Sequence, residues 1–128
     1  MAPPSFLAAS LTVALGGGLG AWLRYVVGRL VPFAAFPWST LTVNVLGSFA
    51  MGVLAGWLAR HGQGGETWRL LLGVGLLGGF TTFSAFSLEL VTMIERGQAG
   101  LALAYAAVSV IAGVAGLFAG LMIVRALA

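Results

Sequence analysis

The chain has 128 residues, of which 60% are apolar and 7% charged, with 20 glycines, no cysteine and a formal net charge of +3. Soluble domains carry about 25% charged residues, so six arginines and three glutamates cannot supply a water-facing surface. Disorder needs low hydropathy with high net charge, a secreted disulfide scaffold needs cysteine, and nucleic-acid binding needs clustered rather than scattered arginines, so lipid is left as the solvent around one domain.

Four apolar runs follow in chain order, at about 5–31, 39–59, 68–94 and 100–124. About 20 residues at 1.5 Å rise cross the hydrocarbon of a bilayer. Each run therefore predicts one spanning helix, and the fold class is an all-α integral membrane protein, a single domain over residues 1–128. The first run does not read as a cleavable signal, because Met1 to Ser5 lacks a positive region and Arg24 and Arg29 stand at its far end. Pro32 and the stretch Phe33 to Pro37 break it from the second run. Trp38 opens that second run and Trp57 sits near its end, as amphipathic rings do at headgroup depth. The loop His61 to Glu66 leads to the third run, opened by Trp68, and Glu95 to Gln98 divides the third from the fourth.

Four spans place both termini and the loop after the second helix on one face, together with Arg60, Arg69 and Arg125. The other face holds Arg24, Arg29 and Arg96. Three against three gives the positive-inside rule no preference. The balance predicts insertion both ways up and an antiparallel, dual-topology homodimer about an axis in the membrane plane. The plainer alternative is that so few arginines balance by chance.

Enzymes need convergent titratable groups, and the chain offers a lone His61, an interfacial pair Glu66 and Glu95, and no metal or triad pattern. No enzyme is expected. Uncharged polar groups within the spans are more informative, since they mark either helix contacts or a pathway. In the third run, Gly78-Gly79 precede a Thr/Ser cluster, which predicts a helix broken near mid-membrane. Its first half would end near Gly78 with free carbonyls, and its second would open on hydroxyls that cap free N–H groups. Irregular backbone at that depth survives only when buried in protein or lining a cavity. A continuous helix whose glycines serve packing is the alternative. The GxxxG spacings Gly16/Gly20, Gly52/Gly56, Gly75/Gly79 and Gly116/Gly120 permit close packing without settling the matter.

Phe83 and Phe86, three apart, share a helix face. Flanked by Thr82, Ser84 and Ser87, they can present positive ring edges to an anion, or act as lipid-facing or core bulk. Asn44 and Ser48 stand four apart on the second helix, and Tyr105 and Ser109 repeat the spacing on the fourth. Donors without fixed charge suit a small anion that must shed water yet leave quickly. Interhelical glue, worth about 0.6 kcal/mol per hydrogen bond, explains the same stripes. Arg24 either snorkels or draws anions toward a pore mouth. Glu89, about two turns short of the interface, is either functional or paired with an arginine or a helix end.

Three stretches, Gly17-Gly18-Leu19-Gly20-Ala21-Trp22-Leu23-Arg24-Tyr25, Thr40-Leu41-Thr42-Val43-Asn44-Val45-Leu46-Gly47-Ser48-Phe49 and Gly78-Gly79-Phe80-Thr81-Thr82-Phe83-Ser84-Ala85-Phe86-Ser87-Leu88-Glu89, closely resemble the Fluc (CrcB) fluoride channels. The resemblance covers essentially the whole chain. It implies a dual-topology homodimer in the cell inner (plasma) membrane, with two antiparallel pores that passively export fluoride. By that resemblance Phe83 and Phe86 line the pores, Asn44 is the pore asparagine, and Ser84, Tyr105 and Ser109 belong to the polar track beside them. It further implies a structural sodium ion at the dimer centre, held by the backbone carbonyls of Gly78 and Thr81, and places Arg24 near the pore entrance. Ala85 departs from the threonine that many relatives have. The rival is a small proton-coupled multidrug exporter, which needs a membrane-embedded carboxylate early in the chain; the first two spans contain none, and only Glu89 could serve.

Overall fold

The computed structural model describes residues 3–31 and 34–127. Met1, Ala2 and Ala128 lie outside the described residues, as do Pro32 and Phe33 of the expected first turn. Helix α1, Phe6–Leu30, starts at Ser5, whose hydroxyl accepts the Ala8 N–H at 3.3 Å. That cap satisfies one of the donors a helix leaves free at its N-terminus. Arg29 stands in the last turn, where a cation complements the helix dipole. Helix α2, Trp38–His61, follows Pro37 directly and stops at Gly62, whose φ of 50° is a backbone conformation that side chains disfavour.

A single 3₁₀ turn, Gly62–Gly65, leads into α3, residues 66–80. Its middle, Arg69–Leu77, is wound as a π-helix, and the Gly78 N–H reaches the Gly73 carbonyl five residues back. Such wide turns are rare and concentrate at functional sites. Helix α4 is Ser84–Glu95, and a tight turn through Gly97, at φ 75°, starts α5, Ala99–Ala126. Four stretches are long and apolar enough to cross a membrane: Phe6–Leu30, Trp38–His61, Glu66–Glu95 and Ala99–Ala126. The described chain is all-helical, and it is a multi-pass membrane protein.

Two close helix pairs organise the packing, α1 against α3 and α2 against α5, with α4 laid along α5. Lipid tails remove most of the hydrophobic drive between helices, so small residues that let backbones meet decide who pairs with whom. A Cβ added at Gly16 or Gly20 would strike the carbonyl of Leu71 or Leu76, and one at Gly79 would strike the backbone of Gly17. In the other pair Gly52 lies on the Leu117 carbonyl and Gly120 on that of Phe49. The main buried cluster, Met93, Ala102 and Tyr105, joins α4 to α5 and packs against Phe36, Leu41 and Phe86. Large apolar side chains such as Leu15, Ile111 and Val114 point outward, as they do on helices solvated by hydrocarbon.

Candidate functional site

Helix α3 continues through Phe80, two residues beyond Gly78, before Thr81 turns extended at φ −80° and ψ 158°. Thr81 closes the last turn twice over, donating its N–H and its hydroxyl to the Leu77 carbonyl at 3.0 and 2.9 Å. The next N–H, that of Thr82, leaves the helix and donates to Asn44 Oδ1 at 2.8 Å, while Asn44 Nδ2 donates back to the Thr82 carbonyl at 3.0 Å. Thr82 Oγ1 in turn accepts the Ala85 N–H at 3.2 Å and caps α4. Both diversions take a donor from the carbonyl four residues earlier, the Thr82 N–H from Gly78 and the Ala85 N–H from Thr81. Gly47, one turn after Asn44, makes room for the docking, since a Cβ there would run into the Thr81 methyl. An unsatisfied backbone group in hydrocarbon costs several kcal/mol, so the Asn44 amide, matching one N–H and one C=O, is what sustains Thr82 outside helical pairing.

These elements bound an open cleft of about 290 Å³. Asn44 and Ser48 of α2, Thr81 and Thr82, and Ser109 of α5 supply its polar lining, and Phe83 and Phe86 its aromatic wall. The two phenylalanine rings stand 5.9 Å apart at 49°, and Phe83 is 80% exposed. Asn44 has two amide protons; one is used on Thr82, which leaves the second for the cleft. Ser109 Oγ is buried without a hydrogen-bond partner among the described residues. The cleft thus combines neutral N–H and O–H donors with two phenylalanine rings.

Of the residues expected at the site, Ser84 and Tyr105 lie off the cleft. The Ser84 hydroxyl sits 3.5 Å from that of Thr82. Tyr105 is 0% exposed and stands behind Phe86, edge to face at 5.1 Å and 73°. Its hydroxyl donates to Glu89 at 2.7 Å, and the other Glu89 oxygen accepts from Thr40 at 2.6 Å. Glu89 therefore meets two hydroxyls, rather than an arginine or a helix end, and ties α2 and α5 to α4. Thr40 escapes notice in the sequence although it carries a signal: Thr40, Asn44 and Ser48 advance by four and form one stripe on α2. Tyr105→Phe leaves one oxygen of the half-buried Glu89 carboxylate without its donor, at a cost of about 1–3 kcal/mol. The variant is expected to unfold at lower temperature in detergent; an unchanged midpoint would show that water replaces the hydroxyl.

Arg24 borders a smaller cavity of about 30 Å³ with Ser39, Thr40, Val43 and Thr82. Its Nε is buried and lacks a hydrogen-bond partner among the described residues. Among the described residues the one ion pair, Arg69 with Glu66 at 2.9 Å, is exposed and lies on the opposite face. Arg24 thus sets an uncompensated positive charge close to Thr82, beside the donors of the cleft.

Residues 11–121 match the model of a family described as CrcB-like protein, Camphor Resistance (CrcB). Over 127 residues, 95% of this chain and 100% of the relative, the sequence is 61% identical to a Novosphingobium aromaticivorans protein named Fluoride-specific ion channel FluC. An Erythrobacter litoralis protein of the same name is 51% identical over 131 residues, 96% of this chain and 95% of the relative. One from Rhodospirillum centenum, also so named, is 54% identical over 118 residues, 90% and 94% of the two chains.

Proposed function

The chain belongs to the CrcB family, and from that premise we propose that it is a fluoride-selective channel, as its relatives are named. Fluoride moves passively down its gradient, so no turnover chemistry is asked of any side chain. The observation that carries the reading is the Asn44 amide, pinned to Thr82 by two hydrogen bonds with its remaining N–H at the cleft shared by Phe83 and Phe86. A small, strongly hydrated anion can shed water only where donors replace it, and it can leave only where those donors are not full charges. The second Asn44 proton, the Ser48 and Ser109 hydroxyls and the phenylalanine edges meet both demands. Arg24 raises the local fluoride concentration without gripping the ion inside the track. Ser84 and Tyr105 act from behind the lining, through Thr82 and Phe86.

The functional unit is an antiparallel, dual-topology homodimer in the inner membrane, with one pore for each inverted copy. The balanced arginines support it, and so does the exposure of Phe83, an aromatic ring set beside donors that a single copy leaves open on one side. The extended backbone at Thr81 lies near the middle of residues 66–95, and in such a dimer it would face the partner. The same dimer would hold a structural sodium ion at its centre. The carbonyls of Gly78 and Thr81 have each lost a helical donor, and neutral carbonyl oxygens are the ligands a hard monovalent cation accepts. Bound there, the ion would neutralise the dipoles of the two α3 ends and hold the copies in register. The multidrug-exporter alternative is dropped, because Glu89 is occupied by two hydroxyls and the relatives are named as channels.

Purified protein in liposomes loaded with potassium fluoride is expected to release fluoride once potassium is made permeant, and to retain chloride under the same conditions. Comparable chloride release would overturn fluoride selectivity.

A further inference from the structure

A second cavity lies at the other end of the molecule and takes no part in the cleft. About 440 Å³ in volume, it runs between α2, α3 and α5 and is lined by apolar side chains including Val53, Leu54, Leu72, Leu76 and Val124. Trp57 and Trp68 stand at its outer end with ring centroids 6.3 Å apart and edge to face. Two cations flank that end. Arg60 donates to the main-chain carbonyl of Val124, a neutral acceptor that leaves its charge uncompensated, and the next residue, Arg125, is exposed. The third arginine of this face, Arg69, is already neutralised by Glu66.

We propose that this groove is a binding site for an anionic phospholipid of the surrounding bilayer. One acyl chain lies between α2, α3 and α5, the tryptophans bracket the glycerol level, and the phosphate is held by Arg60 and Arg125. Three features select this occupant. The groove opens within the membrane-spanning helices, so acyl chains reach it directly. Its floor offers apolar atoms where an ion or a polar solute would need partners. Its charge is confined to the headgroup end, with two arginines and no free carboxylate among the described residues, and interfacial arginines attract anionic headgroups. The inference rests on the four spans and not on fluoride conduction.

The test uses Trp22→Phe/Trp38→Phe protein, in which Trp57 and Trp68 are the only tryptophans, reconstituted into phosphatidylcholine vesicles. Increasing fractions of phosphatidylglycerol or phosphatidylcholine brominated on the acyl chain are then added, and quenching of tryptophan fluorescence is followed. Half-maximal quenching is expected at a roughly thirtyfold lower mole fraction of the brominated anionic lipid, the scale that two interfacial arginines supply. Arg60→Gln/Arg125→Gln in the same background, with Arg29→Gln/Arg96→Gln added so that the two faces stay balanced in charge, is expected to bring the two lipids together while the detergent-solubilised protein elutes as the parent does. Equal quenching by both lipids in the parent protein would overturn the proposal. So would protection from both, which would mean that a second copy of the chain covers the groove.

Discussion

Asn44→Asp is expected to abolish fluoride release from liposomes. The substitution keeps the side chain's size and the oxygen that accepts the Thr82 N–H, but it removes the amide that donates to the Thr82 carbonyl at 3.0 Å and offers its second proton to the cleft. It also sets a negative charge in the anion's path. Two unit charges 4 Å apart interact by about 4 kcal/mol at an effective dielectric constant of 20, and here the interaction is repulsive. That energy corresponds to roughly a thousandfold loss of rate, well below the leak of most vesicle preparations. The reading requires that the protein still folds, so it is paired with elution of the detergent-solubilised protein at the position of the parent. Ser48→Ala, which deletes one hydroxyl from the same lining and no backbone partner, is expected to slow release far less. Undiminished flux from folded Asn44→Asp would remove Asn44 from the pathway and leave it only as the clamp of Thr82.

The four spans are legible in the sequence because an apolar run of about 20 residues has essentially one solution in hydrocarbon. The limits are equally legible, since Trp38, Trp68 and the glycine-rich turns are set by the interface and by backbone freedom. What cannot be read is which helices touch. The Gly16/Gly20 and Gly75/Gly79 spacings look alike with or without a partner, and only the three-dimensional arrangement lays one pair on the other. The same limit hides Glu89. Its partners, Thr40 and Tyr105, lie 49 and 16 residues away, and a local search around the carboxylate meets only Arg96. The Asn44 amide is an intermediate case. Its spacing from Ser48 marks a polar stripe, whereas its pairing with Thr82 depends on the backbone leaving the helix at Thr81, an event that two residues on separate spans produce together. The π-wound stretch Arg69–Leu77 has no sequence signature beyond its glycines.

Gly52→Val is expected to cost the protein its fold and its flux together, although residue 52 touches no part of the cleft. A Cβ at this position falls on the Leu117 carbonyl, a backbone atom that cannot rotate out of the way, and Gly120 presses on the Phe49 carbonyl from the opposite side. Overpacking of an ordinary core costs about 1–3 kcal/mol because side chains give way; here α2 and α5 themselves must separate. Those two helices carry the two polar walls of the site. Asn44 lies eight residues from Gly52 on a rigid helix, about 12 Å at 1.5 Å per residue, so a displacement at the crossing is transmitted to the distance between Asn44 and Ser109. Neutral donors hold an anion only when several converge on it, and moving one wall by an ångström leaves each donor acting alone. Gly18→Ala provides the contrast, since a Cβ at that position meets nothing within 4 Å. It is expected to leave both elution and fluoride release at the parent's level. A Gly52→Val protein that elutes as the parent and conducts would mean that the α2–α5 contact is looser than backbone on backbone, and that the separation of the two polar walls is set by something other than this crossing.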